Sequence, residues 1–327
     1  MNSSVKKLTE AAILTSVFIV ITMFALTTGL GYGIYLDFGV PIMFTLIYFR
    51  CELKYTLLSG VSSILIILLV LGNFGTAILV SQSFLIGVMC GYLLSLSTHM
   101  FDDLFWGAIA GVIFMVLVDI YARNLIGYSF MEEFKGYANI IPMKDYANLV
   151  YYLCIAIFPF GMVMSIYFIS MMVGKKLRLL KDNEKRKYFM MRSIRNIGSF
   201  MCMSKESYYI ALGYIAVFNL LSIVHISISN IYLDTIMICI EYLCLYFVIR
   251  DSYMMIGNYI GIKYRNRYFN YIYLFVVLIS FINFFFITMT ILLVIAIIMD
   301  SKNNLRERQN NVVEDYTNKV IERMNIY

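Results

Sequence analysis

Of the 327 residues, 61% are hydrophobic and 14% charged, the mean hydropathy is +0.80 and the net charge is +6. That balance excludes a soluble globule, in which about a quarter of residues are charged. The apolar runs are uniform in Ile, Leu, Val, Phe, Met and Tyr instead of alternating with polar residues, which excludes a transmembrane barrel and leaves an all-α polytopic membrane protein of about eight to ten transmembrane helices.

The first run follows Lys6 and Lys7 and is longer than the core of a signal peptide, so it is expected to remain as a span. Spans are predicted at 9–30, 34–49, 55–71, 76–96, 104–121 and 149–173, a six-helix transmembrane block over 1–173. GLGYG, Gly29 to Gly33, lacks the strand and helix of a dinucleotide loop and is the expected turn between the first two spans. The connections are short except for a loop at 122–148, which carries Glu132, Glu133, Lys135, Lys144 and Asp145. KKLRLLKDNEKRKYFMMRSIRN then opens a basic cytoplasmic linker, 174–206.

The C-terminal transmembrane block, 207–299, has spans at 208–228 and 231–249, the latter expected to end at Arg250 and Asp251. After it, SYMMIGNYIGIKYRNRY has the Tyr, Met and Ile content and the basic end of a segment lying along the membrane surface. The run 271–299 is long for one span and short for two, and a break near Asn283 would make it two. Residues 300–327 form a polar tail.

Lysine and arginine are retained on the cytoplasmic side, which predicts a cytoplasmic N-terminus, with Arg50, Lys54 and the linker also inside. The positive charge is spread over loops and forms no stripe, so no nucleic-acid partner is implied. Six scattered cysteines, without CxxC or Cys/His spacing, predict buried thiols and no metal. Walker A, HExxH and GxSxG patterns are absent, so no cofactor and no catalytic residues are assigned and the chain is not expected to be an enzyme.

Polar groups inside the membrane cost about 2.5–3.5 kcal/mol when charged, so each demands a partner or a wet cavity. Asp37, Asn73, Gln82, Asp119, Tyr121 and Arg123 fall near the outer ends of the first block and are the candidate substrate-binding set. Asp119 and Arg123, four apart, would alternatively form a local salt bridge. His99, Asp102 and Asp103 precede the fifth span, where acids favour a helix N-terminus. In the second block Asn219 and Glu241 come to a similar depth on an antiparallel hairpin, an expected intramembrane polar pair, while His225 lies shallower. Ala12 and Ser16 offer a small helix-docking face on the first span.

The opening KKLTEAAILTSVFIV, six spans with a longer loop before the sixth, a basic linker, and a C-terminal block ending AIIMDSKNNLRER resemble the YybS-like family of bacterial membrane proteins over most of the chain. The first block in turn resembles the six-helix S components of energy-coupling-factor importers. The resemblance implies a ligand held near the outer face by the set above, and a first helix that meets a coupling subunit working with ATPases through Ala12 and Ser16. Ser16 stands where a second alanine is expected, and the C-terminal block has no counterpart in simple S components. The function expected is therefore a small-molecule-binding or transport-associated subunit without its own ATPase. The alternative is a non-transporting scaffold that recruits partners through the linker and tail.

Overall fold

The computed structural model describes residues 3–29, 32–127, 129–139, 147–224, 230–264 and 267–325, so Lys144, Asp145 and His225 lie outside the described residues. Among those described there is no strand, as expected of a chain whose backbone groups must be satisfied within each segment in lipid. The first helices are α1 (Ser3–Thr28), the single turn α2 (Tyr32–Ile34), a π-helical turn Tyr35–Gly39, α3 (Val40–Leu71), α4 (Phe74–Ser95) and α5 (Met100–Ile126). They are followed by α6 (Phe130–Asn139), α7 (Ala147–Lys176), α8 (Asp182–Arg192), α9 (Ile194–Ile197) and α10 (Lys205–Ile223). The chain ends in α11 (Ile231–Tyr264), α12 (Arg267–Asn283), α13 (Phe285–Asn303) and α14 (Leu305–Asn325). Among the described residues, seven helical stretches are long and apolar enough to cross a membrane, and the protein is a multi-pass helical membrane protein.

Two compact units divide the chain. One takes Met1–Thr98, Trp106–Tyr188 and Ile228–Ile240; the other takes His99–Phe105, Phe189–Ser227 and Glu241–Tyr327. The division interleaves and does not fall in the 174–206 segment alone.

In the first unit, α3 is two helices in one run. Glu52, at φ 68° and ψ 171°, leaves helical geometry and reverses the chain. α4 records the reversal: its Gly87 and Ser95 lie against Pro41 and Tyr48 in the first half, whereas Gly60 of the second half faces Phe84. The second and third predicted spans thus run antiparallel. A Cβ on Gly87 would sit 2.5 Å from the carbonyl oxygen of Pro41, so only glycine permits this approach, which Thr45 fastens by donating to the Gly87 carbonyl at 2.9 Å. Phe18, Phe44 and Phe84 bring α1, α3 and α4 together, with ring centroids 4.9 Å apart in both pairs.

The basic segment 174–206 has helical structure of its own. It folds into α8 and α9, and Lys187 is buried with its ammonium on the Leu93 carbonyl at 2.7 Å, a cation at the C-terminal end of α4. Asn183 adds a bond to the Ser95 carbonyl at 2.9 Å.

In the second unit, α10 and α11 form the expected antiparallel hairpin: the Tyr208 and Ser252 hydroxyls lie 2.8 Å apart, and Asn219 faces Glu241. Helix α11 does not end at Arg250 and Asp251, and the surface-lying segment expected after them is instead its continuation to Tyr264. Both charges are satisfied by partners far away in sequence. Asp251 is fully buried and paired with Arg306, itself 1% exposed and laid over the Tyr208 ring at 3.8 Å. Around them runs the non-helical segment 201–204, whose backbone is claimed by side chains. The N–H groups of Cys202, Met203 and Ser204 donate to Asn310, Asp251 and Asp102, and the Met201 carbonyl accepts from Arg250 at 2.7 Å. The run 271–299 breaks at Phe284, beside Asn283, into α12 and α13. The polar tail is the helix α14, with Arg306, Gln309, Asn310 and Thr317 buried.

Candidate functional site

The loop at 122–148 contains α6. Ser129 and Glu132 have the S-x-x-E spacing of a capping box, and the Glu132 N–H donates to the Ser129 hydroxyl at 3.2 Å. Asp119, fully buried on α5, completes this start: its carboxylate accepts from the Ser129 hydroxyl at 2.9 Å and from the N–H groups of Phe130 at 2.6 Å and Met131 at 3.4 Å. A carboxylate at a helix N-terminus meets both unpaired donors and the positive end of the dipole. Asp119 is therefore spent on holding α6. Arg123 does not take up the expected bridge to it but pairs with Glu132 at 3.0 Å and donates to the Tyr232 hydroxyl at 3.3 Å on an exposed surface.

Anchored in this way, Phe130, Glu133 and Phe134 fall on one face of α6, three and four residues apart, and that face borders a cavity of about 290 Å³. Leu36, Leu79, Met115 and Met162 form apolar walls. Phe158 of α7 adds a third ring, with its centroid 5.9 Å from that of Phe134. The polar lining is Asp37, Gln82, Ser83 and Glu133. Asp37 is half-buried in the π-helical turn Tyr35–Gly39, a geometry that recurs at functional sites. Gln82 is 8% exposed, and its amide makes no hydrogen bond among the described residues, so its polar atoms are left to the cavity. Ser83 donates to the Leu79 carbonyl at 3.1 Å.

Of the six residues expected at a binding site, the structure brings Asp37 and Gln82 together at this cavity. The other four are used elsewhere. Asn73 is the N-cap of α4, accepting from Thr76 N–H at 3.2 Å, and Tyr121 is exposed. Glu133 and the three phenylalanines were not singled out from sequence. The Ser129–Glu132 spacing, with aromatics at 130 and 134, is the signal that marks the helix of Phe130, Glu133 and Phe134, whereas Phe158 lies on α7 and carries no such signal.

The remaining candidates fall as follows. Ala12 and Ser16 lie on the exposed face of α1, while Ala11 and Thr15 are buried. The amide of Asn219 donates to Glu241 at 3.4 Å and to its own helix at the Ile215 carbonyl. Asp102 accepts from Ser204, and no group of three metal-ligating side chains occurs among the described residues. None of the six cysteines is in a disulfide; five are buried and Cys154 partly so. Comparisons with protein families, with characterised proteins and with solved structures find no match to this chain.

Proposed function

We propose that this membrane protein captures a small molecule in the cavity beneath α6 and serves as a binding or transport-associated subunit that relies on a separate ATPase. The carrying observation is the cavity itself: an apolar and aromatic wall with a few convergent polar groups is the usual composition of a ligand pocket, and its buried Gln82 makes no hydrogen bond among the described residues. The likeness of the first block to S components, in a bacterial membrane with the N-terminus inside, agrees with this reading. The exposed pair Ala12 and Ser16 then supplies the face for a coupling subunit. Folding of the 174–206 segment into α8 and α9, with Lys187 buried, argues against that segment as a free recruiting arm.

The test is extraction of the full chain from its native membrane in gentle detergent, followed by mass spectrometry of retained small molecules and co-purifying proteins. A stoichiometric metabolite is expected, absent from Ser83→Trp, whose indole would occupy the cavity. A metabolite retained equally by Ser83→Trp, or none in either protein, would refute the reading.

A further inference from the structure

Resting on the capture reading, we infer that the cavity is built for an organic cation: an amine carrying a small aromatic or branched apolar body. Two carboxylates border it, Asp37 within and Glu133 at the exposed rim, and no Lys, Arg or His lines it among the described residues. An anion stripped of water there would face the Asp37 carboxyl with no cation among the described residues of the lining, a penalty that grows as the surroundings become less polar. A cation meets the opposite field. It also meets the rings of Phe130, Phe134 and Phe158, whose electron-rich faces attract ammonium groups.

Gln82 fits the same guest, since its amide oxygen can accept an ammonium N–H and its NH₂ is free for an acceptor elsewhere on the ligand. The wall is mostly apolar, which suits an organic body and not a metal ion, whose shell is filled by oxygen ligands. The volume, about 290 Å³, is at the lower end for ligand pockets and limits the body to little more than one ring.

Three probes isolate the charge because they share a phenyl ring and a short chain: 2-phenylethylammonium, 2-phenylethanol and phenylacetate. Binding is measured by calorimetry on the purified full chain in detergent. The ammonium should bind about tenfold tighter than the alcohol or more, with phenylacetate weakest. Asp37→Asn should bring the ammonium close to the alcohol, and Glu133→Gln, at the rim, should remove part of the preference without touching the buried structure. Equal or tighter binding of the alcohol or the acid would overturn the inference and leave the capture reading standing. Binding of none of the three, together with no metabolite lost in Ser83→Trp, would overturn both.

Discussion

Replacing Asp119 with alanine should release α6 from the rest of its unit while leaving the spans intact. The carboxylate holds three donors, the Ser129 hydroxyl and the Phe130 and Met131 N–H groups, of which the 2.6 Å bond to Phe130 is the shortest. A hydrogen bond to an ionised acceptor contributes about 1.5–3 kcal/mol, and loss of a helix cap costs about 1 kcal/mol. These overlap, since the short bond is part of the cap, so the docking of α6 should weaken by about 2–3 kcal/mol. At tenfold per 1.4 kcal/mol, amide exchange along α6 should accelerate by about 30- to 150-fold, measurable by hydrogen–deuterium exchange and mass spectrometry. Helix α4 serves as the internal control. Asp119→Asn keeps an acceptor but not the charge, and should produce roughly half the free-energy effect. Ligand affinity should fall in both variants, through the position of Phe130 and Phe134 and not through a contact of Asp119 with the ligand. Unchanged exchange in α6 of the alanine variant would refute the capping argument.

In the second unit, Asp251→Leu alone should destabilise by about 3 kcal/mol because it leaves the buried Arg306 guanidinium with only the Asp300 carboxylate, 3.7 Å away, as counter-charge, and adding Arg306→Met should restore part of the loss. Denaturant titration in detergent reads both, and strictly additive losses would show that the pair is not coupled. Burial raises the Glu184 carboxyl above its ordinary value of 4.5, against the lowering effect of the Lys181 N–H that it accepts. The unfolded chain therefore loses this proton first, so stability present below pH 4.5 should decline as pH rises through the interval up to the raised value. Glu184→Gln should flatten that decline in the thermal midpoint, and an unaltered pH profile would count against it.

What could be read in advance followed from local pattern. Apolar runs located the long helices of the first unit, a break near Asn283 was one of two alternatives and is realised at Phe284, and depth counted from Asn230 put Asn219 opposite Glu241. What escaped depended on partners remote in sequence. Arg250 and Asp251 were read as the end of a span because charge beside hydrocarbon usually means water, whereas Met201, Met203 and Arg306 satisfy them inside the protein. Arg306 belongs to a segment whose average polarity suggested a solvated tail, and averages hide a single buried stripe. Asp119 lies at the depth of the candidate binding set. Depth does not say where Phe130 and Met131 are, and those two amides decide its role.

The reversal at Glu52 also bears on how the chain enters the bilayer. A single residue out of helical geometry joins the two halves of α3, so no slack separates the second span from the third. At 1.5 Å per residue the later half, 53–71, is about 28 Å long, nearly the thickness of the hydrocarbon. Its far end is Leu71, Gly72, Asn73 and Phe74, without charge, whereas the reversal carries Arg50, Glu52 and Lys54, with Glu52 held by Lys7 at 2.5 Å and Arg50 by Glu10 at 2.8 Å. Translocating the charged end would cost about 2.5–3.5 kcal/mol for each ion, and the uncharged tip far less. The uncharged turn at 71–74 is therefore the end of this helix that crosses hydrocarbon at the lower cost, and the ion-paired reversal at Glu52 the end that crosses at the higher.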